Sequence, residues 1–269
     1  MRRNWAPWAL VAPGLAWLTI FFVVPLVSLG RTSLEGDGLG NFSTVLSDNR
    51  EVIQRTFAYA ILATLVALVI AYPLAYFIAL RVKRAKGVLL ALVVLPFFTT
   101  YLIRTLAWKA LLFDEGPIAG VLRSLHLLSA HGQLLNTSGA VIGALVYNYL
   151  PFMVLPIFVS LEKIDRTLLE AAPDLYADGL STFRRVTLPL SLPGVFAGTL
   201  LTFIPACGDF VNAELLGGDR QRMIGNIIAT NFAKDVFRPT MSALSFVLML
   251  LILAGVLVYG RLLGTEEIV

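Results

Sequence analysis

Six apolar runs, each close to the length of a bilayer crossing, limit what this chain can fold into. They lie at about residues 8–29, 56–80, 87–113, 139–161, 190–206 and 241–263. Roughly twenty apolar residues in helical form span the hydrocarbon core of a membrane. A soluble domain of 269 residues could not bury six such runs. Composition agrees: 58% of the residues are hydrophobic and 14% are charged, where soluble domains carry about 25% charged residues. The expected fold class is all-α integral membrane, with six transmembrane helices in a single domain over residues 1–269. The first run is too long for a signal-peptide core and lacks a clear small-residue cleavage site, so it is expected to be retained. The net charge of +4 is small and dispersed, which gives no reason to expect nucleic acid as a partner. A single cysteine, Cys207, leaves no intrachain disulfide. His126 and His131 lack the spacing of metal ligands and fit a solvated loop.

Basic residues suggest an orientation. Arg81, Lys83, Arg84 and Lys86 follow the second run with no acid among them. Six crossings put both termini on one side. If that side is cytoplasmic, its segments hold eleven basic and seven acidic residues, against eight and ten outside. The sign matches the excess of Lys and Arg in cytoplasmic loops. Pro96, midway along the third run, removes a helical hydrogen bond and is expected to kink it. Between the first two runs, Gly36-Asp37-Gly38 marks a turn. Leu39, Phe42, Val45 and Leu46 recur at helical spacing, as in a short helix at the membrane surface.

The most informative polar stretch is residues 162–189. Leu168, Leu169, Ala172, Leu175 and Tyr176 fall near one helical stripe, while Glu170, Asp174 and Asp178 are spaced to share another face. Ala171 and Ala172 beside an acid allow a backbone to approach a partner closely. Asp178-Gly179 reads as a turn, and Ser181 as the cap of a second helix leading to Pro189. The pattern predicts a helix-turn-helix elbow outside the membrane. An amphipathic loop packed on its own bundle fits the same spacing.

Glu170-Ala171-Ala172, followed by Val186-Thr187-Leu188-Pro189, resembles the EAA motif of permease subunits of binding-protein-dependent ABC importers. The likeness extends to 102–108, 149–156, 183–194 and 204–210, and to 214–218 with 223–226, where the chain is similar to the polyamine branch of that family. The resemblance implies a type I permease fold with a cytoplasmic EAA coupling loop, in the bacterial inner membrane, with both termini cytoplasmic. In this family the loop docks on ATPase subunits, which assigns coupling roles to Glu170, Ala171, Ala172, Asp174, Leu175, Asp178 and Gly179. Two positions depart from the motif: Pro173, and Tyr176 where glycine is usual. The expectation is that Gly179 supplies the positive-φ turn residue that tyrosine cannot easily supply.

The chain has no glycine-rich phosphate loop followed by Lys-Ser/Thr, and no catalytic triad. It is expected not to be an enzyme and to carry no cofactor, with ATP and magnesium held by a partner ATPase dimer. Further partners implied by the resemblance are a second, related permease subunit forming a heterodimer, a periplasmic or lipid-anchored solute-binding protein, and membrane lipid. That binding protein would dock near Asn212 and Gly217-Gly218. Spermidine or putrescine, as polycations, would need acids and aromatics along their route. The candidates are Asp209, Glu214, Trp108, Tyr147, Tyr149 and Arg104. Arg104 and Lys109 instead favour another cargo, such as an iron chelate, thiamine or an anion. Arg104 and Asp209 could also pair with each other or snorkel. An ion-coupled transporter would need acids deep in the spans. Runs one, two, four and six have none at their centres.

Overall fold

Every described element is helical, as six apolar runs without strand alternation require. The computed structural model describes residues 6–129, 132–174, 176–233 and 238–263. His131, Leu175 and both terminal segments lie outside them. By packing, the chain forms two compact units, one of residues 1–50 with 227–251 and one of residues 51–226 with 252–269.

In the first unit, α1 (Ala6–Leu18) passes through a π-turn at Thr19–Val23 into α2 (Val24–Ser33). Its large apolar side chains, among them Trp17, Phe21 and Phe22, are exposed. This is how a helix surrounded by lipid or by another protein reads in an isolated chain. Gly36 and Gly38 adopt φ of 74° and 60° in the expected turn. A short helix follows, α3 (Gly40–Asp48). It is tied back by Asn41, whose Nδ2 donates to the carbonyls of Ser33 at 3.0 Å and Glu35 at 2.8 Å. Only part of the expected stripe is buried: Val45 is, while Leu39 and Leu46 are exposed.

The second unit begins with α4 (Arg50–Tyr76), ending in a π-turn at Phe77–Arg81. Ala60, Ala63, Ala67, Ala71 and Ala75 are fully buried along one face of it. Small residues at this spacing let helices approach closely where the hydrophobic effect cannot drive association. Next come α5 (Lys86–Val94), a 3-10 turn at Leu95–Phe98 and α6 (Tyr101–Leu112), with α7 (Pro117–Ser124) beyond. The Lys86–Phe98 and Tyr101–Ser124 segments meet at 91°. Pro96 thus does more than kink the third run. Thr99 and Thr100 are extended after it, and Thr99 Oγ1 donates to the Pro96 carbonyl at 2.7 Å.

α8 (Ser138–Glu162) is capped by Thr137, which accepts from the Ala140 N–H. The loop helices α9 (Arg166–Asp174) and α10 (Gly179–Thr182) follow, then a π-turn at Phe183–Thr187 and α11 (Leu188–Cys207). α8 and α11 form the main antiparallel contact of this unit. Two glycines allow it. A Cβ on Gly194 would sit 2.5 Å from the Pro156 carbonyl oxygen, and one on Gly198 2.9 Å from Met153 Sδ. At the loop end, Lys86 and Glu162 form an ion pair at 2.6 Å.

Between the fifth and sixth apolar runs the described residues are mostly helical: α12 (Val211–Leu216), a 3-10 turn at Asp219–Gln221 and α13 (Ile224–Ala233). α11 stops level with Tyr149, whose hydroxyl donates to the Pro205 carbonyl at 3.4 Å. α12 carries on to the start of α8, where the Asn136 N–H donates to the Leu216 carbonyl at 2.9 Å. Residues 208–210 separate α11 from α12. α14 (Arg238–Leu263) ends the described chain. Among the described residues, five helical stretches are long and apolar enough to cross a membrane, and six if the bent pair at Lys86–Phe98 and Tyr101–Ser124 counts as one.

Candidate functional site

Two places carry the sequence-predicted residues. The first is the loop at 162–189. Asp165 opens it by accepting from the Thr167 N–H at 2.9 Å, and that bond holds its carboxyl below the usual carboxylate range. α9 ends in a Schellman motif, with the Ala177 N–H bonded to the Ala172 carbonyl at 3.0 Å. The residue that such an ending places in the left-handed region is Tyr176, at φ 58°. This corrects two expectations. Gly179 does not supply the positive φ; it opens α10 instead. Nor does Tyr176 extend the apolar stripe, because it is 98% exposed. The helix ending dictates the backbone at that position whatever the side chain.

Asp178 also leaves the acidic face expected for it. It lies past the turn and caps α10, accepting from the Ser181 N–H at 3.0 Å. Hydrogen bonding from Ser181, side chain and backbone, holds its carboxyl below the usual range. Ser181 is thus the capped residue rather than the cap. Glu170, Ala171 and Asp174 are exposed along α9, while Ala172 is buried. Leu168, Ala171, Ala172, Ala177, Ser181, Thr182, Arg185 and Val186 line a cleft of about 330 Å³ between α9 and the segment after it. Phe183 anchors the elbow, packing edge-on against Tyr72 at 5.7 Å and Tyr76 at 6.2 Å between ring centres. Leu175 lies outside the described residues.

The second place is a buried polar layer built around the break at 208–210. Asp209 is 5% exposed. Its Oδ1 accepts from the Asn212 N–H at 2.8 Å. Its Oδ2 accepts from the hydroxyls of Tyr101 and Tyr149, the latter at 3.1 Å, and from Asn212 Nδ2 at 3.3 Å. Asn212, fully buried, also donates to the Tyr101 hydroxyl at 2.6 Å, and its Oδ1 accepts from Thr105 at 3.1 Å and Asn148 at 3.2 Å. A loop at the outer surface was expected for Asn212; the break folds it inward instead. Among the described residues, every hydrogen-bond partner of the Asp209 carboxyl is a neutral donor.

Arg104 borders the same layer. It is 9% exposed, and its guanidinium lies 4.7 Å from the Phe97 ring centre and 5.5 Å from that of Tyr101. Its Nε and Nη1 are buried without a hydrogen-bond partner among the described residues, as is Asn148 Oδ1. Neither pairing with Asp209 nor snorkelling describes it. The other candidates fall elsewhere. Trp108 and Tyr147 meet edge-on at 5.4 Å, and Trp108 packs against an apolar cluster of Leu112, Ala140, Ala144 and Leu216. Glu214 is exposed, accepts from Asn226 Nδ2 at 3.2 Å, and lines a separate polar cleft of about 660 Å³ with Asp219, Arg220 and Arg222. Lys109 is exposed.

Sequence reasoning missed Tyr101, Thr105 and Asn148. The available signal was the Thr99-Thr100-Tyr101 run after Pro96, together with an asparagine inside an apolar span, where an unpaired amide is costly.

The matching family model is that of the binding-protein-dependent transport system inner membrane component, over residues 71–263. The chain is 38% identical to the Haemophilus influenzae spermidine/putrescine transport system permease protein PotB, covering 93% of this chain and 92% of that protein. It is 37% identical to the Escherichia coli K12 protein of the same name, covering 92% and 94%. Among solved structures, one chain of a bacterial alginate ABC transporter, in complex with a pentasaccharide-bound periplasmic protein, superposes with a TM-score of 0.81. At 19% identity it covers 97% of this chain and 94% of its own, a likeness of fold alone.

Proposed function

The chain belongs to the family of binding-protein-dependent transport system inner membrane components, and from that premise we propose that it is the permease subunit through which an ABC importer moves spermidine or putrescine. The observation that carries the cargo is Asp209. A carboxyl group buried in the bundle and hydrogen-bonded, among the described residues, by neutral donors has no cation of its own beside it and can serve as the counter-charge for a cationic cargo. Asn148 Oδ1, without a partner in the same layer, offers a further acceptor. Tyr101 and Tyr149 present rings, 6.4 Å apart between centres, to the methylenes and ammonium groups of a polyamine. The relatives named as spermidine/putrescine permeases support the same cargo.

In this reading the 162–189 loop faces the cytoplasm, with both termini on that side, and docks on an ATPase dimer through Glu170, Ala171, Asp174 and their neighbours. ATP and magnesium belong to those subunits, and this chain holds no cofactor. A second permease subunit completes the pathway, and a solute-binding protein delivers cargo from the opposite face. Closure of the ATPases turns the elbow, and Phe183 between Tyr72 and Tyr76 passes the motion to the spans. Arg104 favours a second reading, an anionic cargo.

The test is uptake of labelled spermidine and putrescine into proteoliposomes holding the whole complex. Wild type is compared with Glu170→Arg and Asp209→Asn. ATP-dependent uptake is expected for wild type. Glu170→Arg is expected to abolish uptake and cargo-stimulated ATP hydrolysis together. Asp209→Asn is expected to lose uptake while the complex remains assembled. A wild-type complex that hydrolyses ATP but takes up neither polyamine removes the cargo from the reading and leaves the importer.

A further inference from the structure

Among the described residues, Arg104 is the one buried basic side chain and Asp209 the one buried acidic side chain. They border one layer without pairing. Arg104 Nε and Nη1 are buried with no hydrogen-bond partner among the described residues, and the bonds to the Asp209 carboxyl come from neutral donors. Two ring faces, at 4.7 Å and 5.5 Å from the guanidinium, offset only part of the cost of leaving it unpaired in a spanning bundle. Because Nε and Nη1 are closed off from the surface, an acceptor for them has to come from inside the bundle.

Tyr101 stands between the two groups. Its ring lies 5.5 Å from the guanidinium, and its hydroxyl donates to Asp209 Oδ2. Tyr101 and Arg104 are three residues apart on α6, so they share one face of it. A slide of α6 by that spacing, about 4.5 Å at 1.5 Å per residue, brings Arg104 to the level that Tyr101 now holds against the carboxyl. α6 packs on α12, and two bonds hold the present register of this layer: Tyr101 to Asp209, and Thr105 to Asn212 at 3.1 Å. Both groups also stand at joints. α6 begins at Tyr101, directly after the extended residues Thr99 and Thr100. Asp209 lies in the stretch between α11 and α12. Residues at the ends of helices absorb movement that a continuous helix resists, and one element can ratchet past another by about a turn.

We infer that Asp209 exchanges partners during transport. In the arrangement seen here its carboxyl is open to an ammonium group of the cargo. In the alternate arrangement α6 has slid past α12, and the Arg104 guanidinium takes the carboxyl and displaces the cargo from it. Arg104 is thus a positioning residue for release and acts through Asp209. The inference rests on the reading that the cargo is a polyamine held at Asp209. It also gives an arginine a use beside a cation route: a positive charge fixed to the wall competes for the carboxyl that would otherwise retain the cargo.

The experiment is zero-length crosslinking of the whole complex in nanodiscs with dicyclohexylcarbodiimide, without nucleotide and after trapping with ATP and vanadate. Arg104→Lys places a primary amine at the position. The reagent activates the Asp209 carboxyl, the amine attacks it, and an amide forms while the reagent takes up the water lost and becomes a urea. A peptide linking positions 104 and 209 is expected to be at least about tenfold more abundant in one state than in the other, the scale of coupling between two conformations. Arg104→Met, and Arg104→Lys combined with Asp209→Asn, should give none. No link in either state, or equal links in both, overturns the exchange. Arg104→Gln tests it without the reagent, and decides if Arg104→Lys does not assemble. Its spermidine uptake is expected to keep KM within about twofold while kcat falls about tenfold, with kcat restored by Arg104→Lys. Wild-type kcat in Arg104→Gln, or loss of the assembled complex in both variants, overturns the exchange. Wild-type uptake is read separately. A state-dependent link without spermidine uptake keeps the exchange and removes the cargo, and uptake without a link does the reverse.

Discussion

The 162–189 loop keeps its turns through contacts no more than five residues apart: Asp165 with Thr167, Ala172 with Ala177, Asp178 with Ser181. The layer around Asp209 joins residues up to 111 positions apart, Tyr101 to Asn212 being the widest pair. The loop is exposed and tolerates charge because water solvates it. The layer is buried, so each polar atom there must find a partner in another helix or in another molecule. The difference teaches where each region is sensitive. Loop changes act through docking and local backbone. Changes in the layer act through charge and packing across the bundle.

The sharpest way to break this comparison is charge at the layer. Asp209→Asn keeps the shape and removes the charge, and spermidine uptake is expected to fall by about a hundredfold, the scale for losing one partner of a buried charge pair. Equal loss with Asp209→Glu, which keeps the charge, would show that packing rather than charge governs the layer. Next in size is close packing. Gly194→Leu drives a side chain into Pro156 and Ser160 and is expected to destabilise the complex by about 1–3 kcal/mol, read as a lower thermal midpoint.

The loop is expected to respond more weakly. Tyr176→Gly relieves a left-handed non-glycine residue and is expected to stabilise the end of α9 by about 1 kcal/mol. Hydrogen exchange at Ala177 should slow by roughly fivefold; faster exchange would mean that the ring holds the turn. The smallest effect is on pH. The Asp178 carboxyl is lowered in the folded state by its bonds with Ser181, so its cap is present above the ordinary carboxylate range. It is lost only as pH falls below about 4. Amide protection at Ser181 should be flat from neutral pH down to that point and then drop. Asp178→Asn should remove the drop.

Much of this was legible in the amino-acid order. Runs of apolar residues located the spans, and the EAA motif located the elbow. Both depend on near neighbours and on length. Tyr176 was misread because residue preference was weighed without the helix ending that fixes its backbone. The inward position of Asn212 was missed, and the kink expected at Pro96 proved to be a 91° bend, for a related reason. Proline announces that a helix stops, but the direction in which the chain resumes depends on what packs against it.

The sequence by itself determined that the chain crosses a membrane repeatedly, that residues 162–189 form a charged elbow between two spans, and that the chain resembles an importer permease. Periodicity, length and local motifs suffice for these because a bilayer leaves a polar backbone few alternatives. Only the tertiary structure decided that the helix stops at residues 208–210, that Tyr101, Tyr149 and Asn212 converge on the Asp209 carboxyl, and that Arg104 Nε and Nη1 are buried without an acceptor among the described residues. Those outcomes depend on which helices meet at one depth. That is a property of packing between segments 60 to 111 residues apart, which one-dimensional spacing does not encode.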